Sequence, residues 1–164
     1  MADDLYDRDV LAWSEYQATL LRRAASGERV NDIDWTHVVE AIEDAGRSEL
    51  NDVNSCLRQI LVHLLKLHGR PALAARRHWR SEIVALQTDA QLRFAPSMRQ
   101  RIDLEAIYAR AALQIIPLQY GGRQAVAAPK TCPVSPDELL AASCDELEAA
   151  FRVACSQDQD PASP

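Results

Sequence analysis

The stretch from Trp35 to His68, WTHVVEAIEDAGRSELNDVNSCLRQILVHLLKLH, carries one apolar stripe along its whole length. At about 3.6 residues per turn, the members of the stripe keep to a single helix face. They are Trp35, Val38, Ile42, Ala45, Gly46, Glu49, Val53, Cys56, Ile60, Leu64 and Leu67. The phase continues through Gly46, so the stretch is predicted to form one long helix.

Glu49 lies near the middle of this stripe. A carboxylate on a buried helix face is costly unless a cation pairs with it, so it has either a partner or a chemical role. The following helix offers Arg76 on its own apolar face and Arg80 at the edge of that face. The sequence therefore predicts that Glu49 is buried and paired with one of these two arginines.

The rest of the chain predicts four more helices, separated by turn and capping residues. They open at Asp7, Pro71, Pro96 and Ser135, and the connection over 118–134 is irregular. Together with the long helix over 35–68, they predict an all-α, single-domain bundle of about five helices, built around that helix. The domain is assigned to residues 1–155, and the polar, proline-rich residues 156–164 are predicted to be a disordered tail.

Composition indicates an ordinary globular protein of 164 residues, 48% of them hydrophobic and 26% charged. No apolar run reaches the length of a membrane span, so no membrane association is expected. The acidic start of the chain lacks the apolar core of a signal peptide, which favours a cytoplasmic location. The four cysteines form no Cys-x-x-Cys pair, and we expect them to be reduced thiols.

A basic segment interrupts the acidic chain, because residues 53–81 contain no Asp or Glu. Its Arg70, Arg77, His78 and Trp79 are the candidates for an anion-binding surface, with Arg77 and His78 predicted to point outward. Internal neutralisation by the acid-rich long helix is the alternative. The net charge of −6 argues against nucleic acid as a partner, since nucleic-acid-binding domains are usually strongly basic.

Four residues are candidates for catalysis: Glu43, Glu49, His63 and Arg80. Glu49 and His63 are about 21 Å apart along one helix and cannot share an ion. No ligand pair has a recognised metal spacing, so no metal and no cofactor are predicted. His63 is expected to be a hydrogen-bonded histidine at the edge of the core, while His37 and His68 are expected to face solvent.

Several motifs together resemble a known family. They are Leu5-Tyr6-x-x-Asp9 with Trp13, Leu20-Leu21-Arg22, Ile33-Asp34, Glu40-x-Ile42-Glu43-x-x-Gly46-x-Ser48-Glu49, Leu61-x-His63-Leu64-Leu65-Lys66, Trp79-x-x-x-Ile83, Pro96-Ser97-Met98 and Cys132-Pro133. The chain resembles the family named domain of unknown function twenty-nine over nearly its whole length. That resemblance implies a small helical protein of bacterial source and transfers no catalytic role. Residues 113–128 depart from the family pattern, which is more acidic there.

Two functions from different classes remain. The first is a non-enzymatic interaction or regulatory module that binds a protein partner or forms a homo-oligomer. It rests on the lack of a catalytic signature and on apolar residues off the main stripe, namely Val39, Leu50, Leu61 and Leu65. These residues could also contact a second neighbour in the bundle. The second is a hydrolase or nuclease that uses Glu43 and Glu49 with His63 or Arg80.

Overall fold

A computed structural model describes residues 2–69, 72–115 and 128–158. These residues form seven α-helices, one 3-10 turn at Pro96–Met98 and no strand. The helices are α1 (Ala2–Arg8), α2 (Val10–Ala25), α3 (Trp35–His68), α4 (Leu73–Arg93), α5 (Leu104–Ile115), α6 (Pro136–Ala141) and α7 (Cys144–Asp158). The all-α prediction and the long helix over 35–68 are confirmed.

The long helix α3 begins and continues as its sequence predicts. Asp34 caps it, because the backbone N–H of His37 donates to Asp34 Oδ1 at 3.3 Å. The helix passes through Gly46 without a break. A Cβ placed on Gly46 would meet no atom within 4 Å, so this glycine is not required by any close contact in the described structure.

The first predicted helix is in fact two helices, α1 and α2, with Asp9 between them. The Asp9 side chain accepts a hydrogen bond from the backbone N–H of Ala12 at 3.0 Å and so starts a new helix. The prediction that one helix opens at Asp7 is therefore wrong. Gly27 follows α2 with φ of +90°, a left-handed conformation that glycine adopts without strain.

The predicted helix at Pro96 begins later than expected. After the 3-10 turn at Pro96–Met98, Asp103 accepts a hydrogen bond from the N–H of Ala106 at 3.0 Å and starts α5. The last predicted helix is also two helices, because the capping box of Ser135 starts α6 and a second box starts α7. In the second box, Ser143 accepts from the backbone N–H of Glu146, whose carboxylate accepts from the N–H of Ser143.

The chain divides into two compact units, Met1–Ser48 and Glu49–Pro164. In the first unit, Trp13, Leu20 and Val38 are buried. In the second unit, the part of α3 from Val53 onward forms one apolar core with α4, α5, α6 and α7. The core residues with no exposure at all are Val53, Leu57, Ile60, Leu61, Ile83, Ala90, Ala111 and Leu139. The assignment of 1–155 to a single domain stays a prediction, and residues 159–164 of the predicted tail lie outside the described residues.

Candidate functional site

Glu49 is not the buried acid that its phase on the stripe predicts. Its side chain is 54% exposed, and its carboxylate lies 3.7 Å from Nη1 of Arg93, which also contacts Asp52 at 3.0 Å. The prediction fails because the stripe of α3 enters the core of the second unit only from Val53 onward, and its other buried member, Val38, lies in the first unit. Glu49 lies one turn before that point and pairs with an exposed arginine at the end of α4.

In the second unit, the buried acid is Glu148 on α7. One of its carboxylate oxygens accepts a hydrogen bond from Arg76, and the other accepts from Nη1 of Arg80 at 2.7 Å. Arg80 also pairs with Asp145 at 2.8 Å. The two arginines that the sequence assigned to Glu49 therefore neutralise an acid from the far end of the chain.

This arrangement separates Glu49 from the other candidate catalytic residues of the second unit. Glu49 faces Arg93, which follows Arg80 by thirteen residues, or about 20 Å along α4. His63 is as far from Glu49 along α3 as the sequence predicts. In the first unit, Glu43 is 61% exposed and pairs with Arg47 one turn later. The residues of the hydrolase hypothesis therefore form no common site within the second unit.

His63 lies at the edge of the core, as predicted, but without the predicted hydrogen bond. Its Nδ1 is buried and has no hydrogen-bond partner in the described structure. Burial lowers the pKa of His63 below its ordinary value, and the nearby charge of Lys66 lowers it further. The ring is therefore a neutral imidazole at physiological pH. Its lowered pKa also makes it a weaker base than an ordinary histidine.

The predicted anion surface is only partly present. Arg77 and His78 are exposed, as their helix phase predicts. Trp79 instead packs against the core, and Lys66 Nζ lies 5.6 Å from its ring centre, a cation–π contact. Arg70 lies outside the described residues. Anion binding by this surface stays a prediction.

No disulfide joins any two of the four cysteines, as predicted. Burial raises the pKa of the Cys132 thiol to about 11, and it also raises the pKa of Cys56 and Cys144. A thiol acts as a nucleophile in its deprotonated form, so these three are unsuited to that role. Among the described residues, no three His, Cys, Asp or Glu side chains are close enough together to hold a metal ion.

A polar cluster that the sequence did not predict surrounds Asp34 in the first unit. Its Oδ2 accepts hydrogen bonds from Nε1 of Trp13 at 3.2 Å and lies 2.7 Å from Nδ1 of His37. The backbone N–H of Asp34 donates to the buried side chain of Gln17 at 2.9 Å. The ring of Tyr6 stacks on His37 with 4.1 Å between centroids. The prediction that His37 faces solvent is wrong, because this cluster encloses the ring.

The cluster around Asp34 is a structural device that fixes the start of α3. Burial raises the pKa of Asp34, but hydrogen bonds from His37 and Trp13 outweigh burial, so its pKa lies below the ordinary value. A charged carboxylate at a helix N-terminus also interacts favourably with the helix dipole. The first turn of α3 is thereby held against α1 and α2.

The helix that this cluster fixes exposes an apolar surface. Trp35, Val39 and Ile42 are 61%, 52% and 69% exposed. At about 100° per residue, they lie within about 60° of one another on α3, at the i, i+4, i+7 spacing of one helix face. We call these three residues the exposed stripe. The sequence placed Trp35 and Ile42 on a buried face, and the structure corrects that prediction.

The exposed stripe lies in the part of the chain that carries all of the net charge. Residues 1–48 contain eleven Asp or Glu and five Arg, a balance of −6, whereas residues 49–164 contain thirteen acids and thirteen bases. The first unit is therefore acidic and the second is neutral. Glu43 is next to the exposed stripe on α3, so acidic side chains flank its apolar surface.

The family model described as Domain of unknown function DUF29 matches residues 5–144. The chain belongs to this family. Membership in DUF29 confirms the resemblance read from the sequence, and it assigns no activity. No curated protein and no solved structure matches the chain. Among the described residues, no helix is both long enough and apolar enough to cross a membrane.

Proposed function

We propose that this DUF29 protein is a non-enzymatic interaction module that docks a protein partner on the exposed stripe of α3. The observation that supports this proposal is the exposure of three large apolar side chains on one helix face. More than half of each of these side chains is exposed, at Trp35, Val39 and Ile42. Contiguous apolar surface of this kind is typical of protein interaction sites. The i, i+4, i+7 spacing is that of a helix that binds in a groove.

The negative charge of the first unit indicates which class of partner would bind. The first unit carries the whole net charge of −6, and Glu43 flanks the exposed stripe. A partner with an apolar helix face bordered by Lys or Arg matches both features, since opposite potentials across an interface favour encounter and register. Two copies that met through this surface would bring two acidic units together, which their like charge opposes. We therefore propose a basic protein partner, with a homo-oligomer as the other outcome.

A designed peptide tests the stated chemistry directly. The probe is a labelled amphipathic helical peptide with leucine on one face and lysine beside it, and its control carries glutamate in place of lysine. We expect the lysine peptide to bind in fluorescence anisotropy and to weaken as salt rises. Ile42→Asp should weaken binding by at least about tenfold, because it puts a charge in the apolar contact.

The matched control is Leu92→Asp, since Leu92 is an 82% exposed leucine on α4 in the other unit. It should leave peptide binding unchanged. Equal binding of the two peptides, or equal losses from the two variants, would contradict the proposal. Sedimentation of the protein alone addresses the other outcome: a dimer that Ile42→Asp dissociates would show that the occupant is a second copy.

The hydrolase or nuclease alternative has no comparable observation in its favour. Within the second unit, Glu49, His63 and Arg80 face different neighbours. The bacterial source implied by the resemblance, and the cytoplasmic location inferred from the start of the chain, stay predictions.

A further inference from the structure

The side of α4 that faces away from the core is exposed and apolar. Leu73, Val84 and Leu92 are 66%, 55% and 82% exposed. At about 100° per residue, Leu92 lies opposite the buried Ile83 and Ala90. Leu73 and Val84 lie about 80–100° from Leu92, at the edge of the same side. We call the exposed residues of this side the outer face of α4, namely Leu73, Ala74, Arg77, Ser81, Val84, Ala85 and Leu92.

Apolar residues on two opposite sides of one helix are typical of a helix that packs on both sides. The inner side of α4 packs on the core through Trp79, Ile83, Leu86 and Ala90. The outer face extends from one end of the helix to the other, and Arg77 is its only charged residue. Exposed apolar surface of this kind is typical of a site that contacts another protein.

The charges of the second unit match a second copy of this chain. Residues 49–164 contain thirteen acids and thirteen bases, so two second units lack the net repulsion of two acidic first units. On α4, the exposed Arg77 lies near the start, and the exposed Asp89 lies near the end at the border of the outer face. Neither forms an ion pair in the described part of the chain. These charges are therefore complementary when two copies of α4 run in opposite directions.

An antiparallel pair that overlaps along the whole of α4 is centred on residue 83, the middle of the helix. Residues equally far from this centre lie at the same level on the two helices. Arg77 is therefore level with Asp89 of the second copy, and opposite charges meet there. Leu92 is level with Ala74 of the second copy, so a large side chain meets a small one. Twofold symmetry makes each of these contacts occur twice.

We propose that this protein forms a symmetric dimer in which the outer face of α4 packs, antiparallel, on the outer face of α4 from a second copy. The other acid of α4, Glu82, lies to the side, about 80° from Leu92, and is 4.0 Å from Nδ1 of His78 in its own chain. The interface is separate from the exposed stripe and does not rest on the proposed function, because α4 belongs to the second unit.

Sedimentation equilibrium of the full chain tests the dimer. We expect a monomer–dimer equilibrium with a dissociation constant on the order of micromolar, the weak end of the range for protein interfaces. Leu92→Asp should weaken dimerisation by at least about tenfold, because it puts a charge in the middle of the outer face. The matched control is Val153→Asp, which changes a 55% exposed apolar residue on α7 and should leave the dimer intact. Ile42→Asp in the exposed stripe should also leave it intact.

Two charge reversals test the antiparallel direction. Arg77→Asp alone puts two acids at each of the two charged contacts, and Asp89→Lys alone puts two cations there. Each variant alone should therefore dimerise about tenfold more weakly than the parent. An equal mixture of the two variants should recover dimerisation, since the mixed dimer has opposite charges at both contacts. Both residues are exposed, so circular dichroism should show the helix content of the parent in each variant.

Several results would overturn the proposal. They are a chain that remains monomeric at about 100 μM, a dimer that survives Leu92→Asp, a dimer that Val153→Asp dissociates, and a mixture that dimerises no better than its two components. A dimer that Ile42→Asp dissociates and Leu92→Asp does not would place the contact on the exposed stripe instead.

Discussion

Two glutamates show how the surroundings of a carboxylate decide its contribution. Glu49 is half exposed and meets one exposed arginine at 3.7 Å, a pair that water screens strongly. Glu148 is only 8% exposed and accepts hydrogen bonds from two arginines whose side chains are about two-thirds buried. Removing Glu148 would leave two partly buried cations facing each other, whereas removing Glu49 leaves Arg93 with Asp52.

We predict that Glu148→Gln lowers the free energy of unfolding by about 2 kcal/mol, between the values for surface and for fully buried pairs. The matched change Glu49→Gln should cost less than about 1 kcal/mol. Urea melts of the two variants and the parent measure both. A loss from Glu49→Gln equal to or greater than that from Glu148→Gln would show that the acid of α3 is the one that the fold depends on.

The helix α3 serves two purposes along its length. Its second half supplies the core of the second unit, where Val53, Leu57, Ile60 and Leu61 have no exposure. Its first half is capped by Asp34 and exposes Trp35, Val39 and Ile42. The apolar periodicity of the sequence is continuous, yet one part of it packs in the core and the other part is exposed. Periodicity determines which residues share a helix face, but not what lies opposite that face.

The glycine within α3 provides a test of its continuity. Gly46→Ala should raise the free energy of unfolding by about 0.5–1 kcal/mol, because alanine loses less backbone entropy in a helix and the new Cβ meets nothing. The matched control is Gly27→Ala at φ +90°, which should cost about 1–2 kcal/mol. Thermal melts compare the two. A destabilising Gly46→Ala would mean that position 46 leaves helical geometry.

At the scale of the whole molecule, helix bounds can be predicted wherever a local sequence signal determines them. The long apolar stripe predicts the bounds of α3, and the helix start predicted at Ser135 is the start of α6. A Ser-x-x-Glu pattern at Ser143 also marks the start of α7. Glu148 shares a helix face with Cys144, Leu147, Phe151 and Cys155, so its position in the sequence predicts burial as well as the position of Glu49 does. Which of the two acids is buried depends on long-range packing, which one sequence does not contain.

Titratable groups of the second unit make the stability of the protein depend on pH in two ranges. The pKa of His63 is lowered in the folded state by burial and by Lys66 and His78, against an opposing effect of Glu82. The unfolded state therefore binds a proton near the ordinary pKa of 6.5 that the folded state does not bind, and stability falls as pH drops below that value. Hydrogen bonds from Ser135 and Ser143 lower the pKa of Glu138 and Glu146 below 4.5, and the stability they add is lost on further acidification.

We predict that His63 contributes a decrease in the free energy of unfolding from pH 7.5 to pH 5.5, before the carboxylates titrate. His63→Gln should remove the part of this decrease that belongs to the buried imidazole, because glutamine binds no proton in either state. The comparison variant His78→Gln removes only the smallest of the contributions to the lowered pKa of His63, so it should change the slope by less than His63→Gln does. Below pH 4.5, all three proteins should lose stability in parallel, since the capping glutamates remain.

Urea melts at each pH measure the slopes. If His63→Gln retained the full slope between pH 7.5 and 5.5, His63 would have to bind its proton equally well in the folded and unfolded states, and its buried Nδ1 would not be the cause.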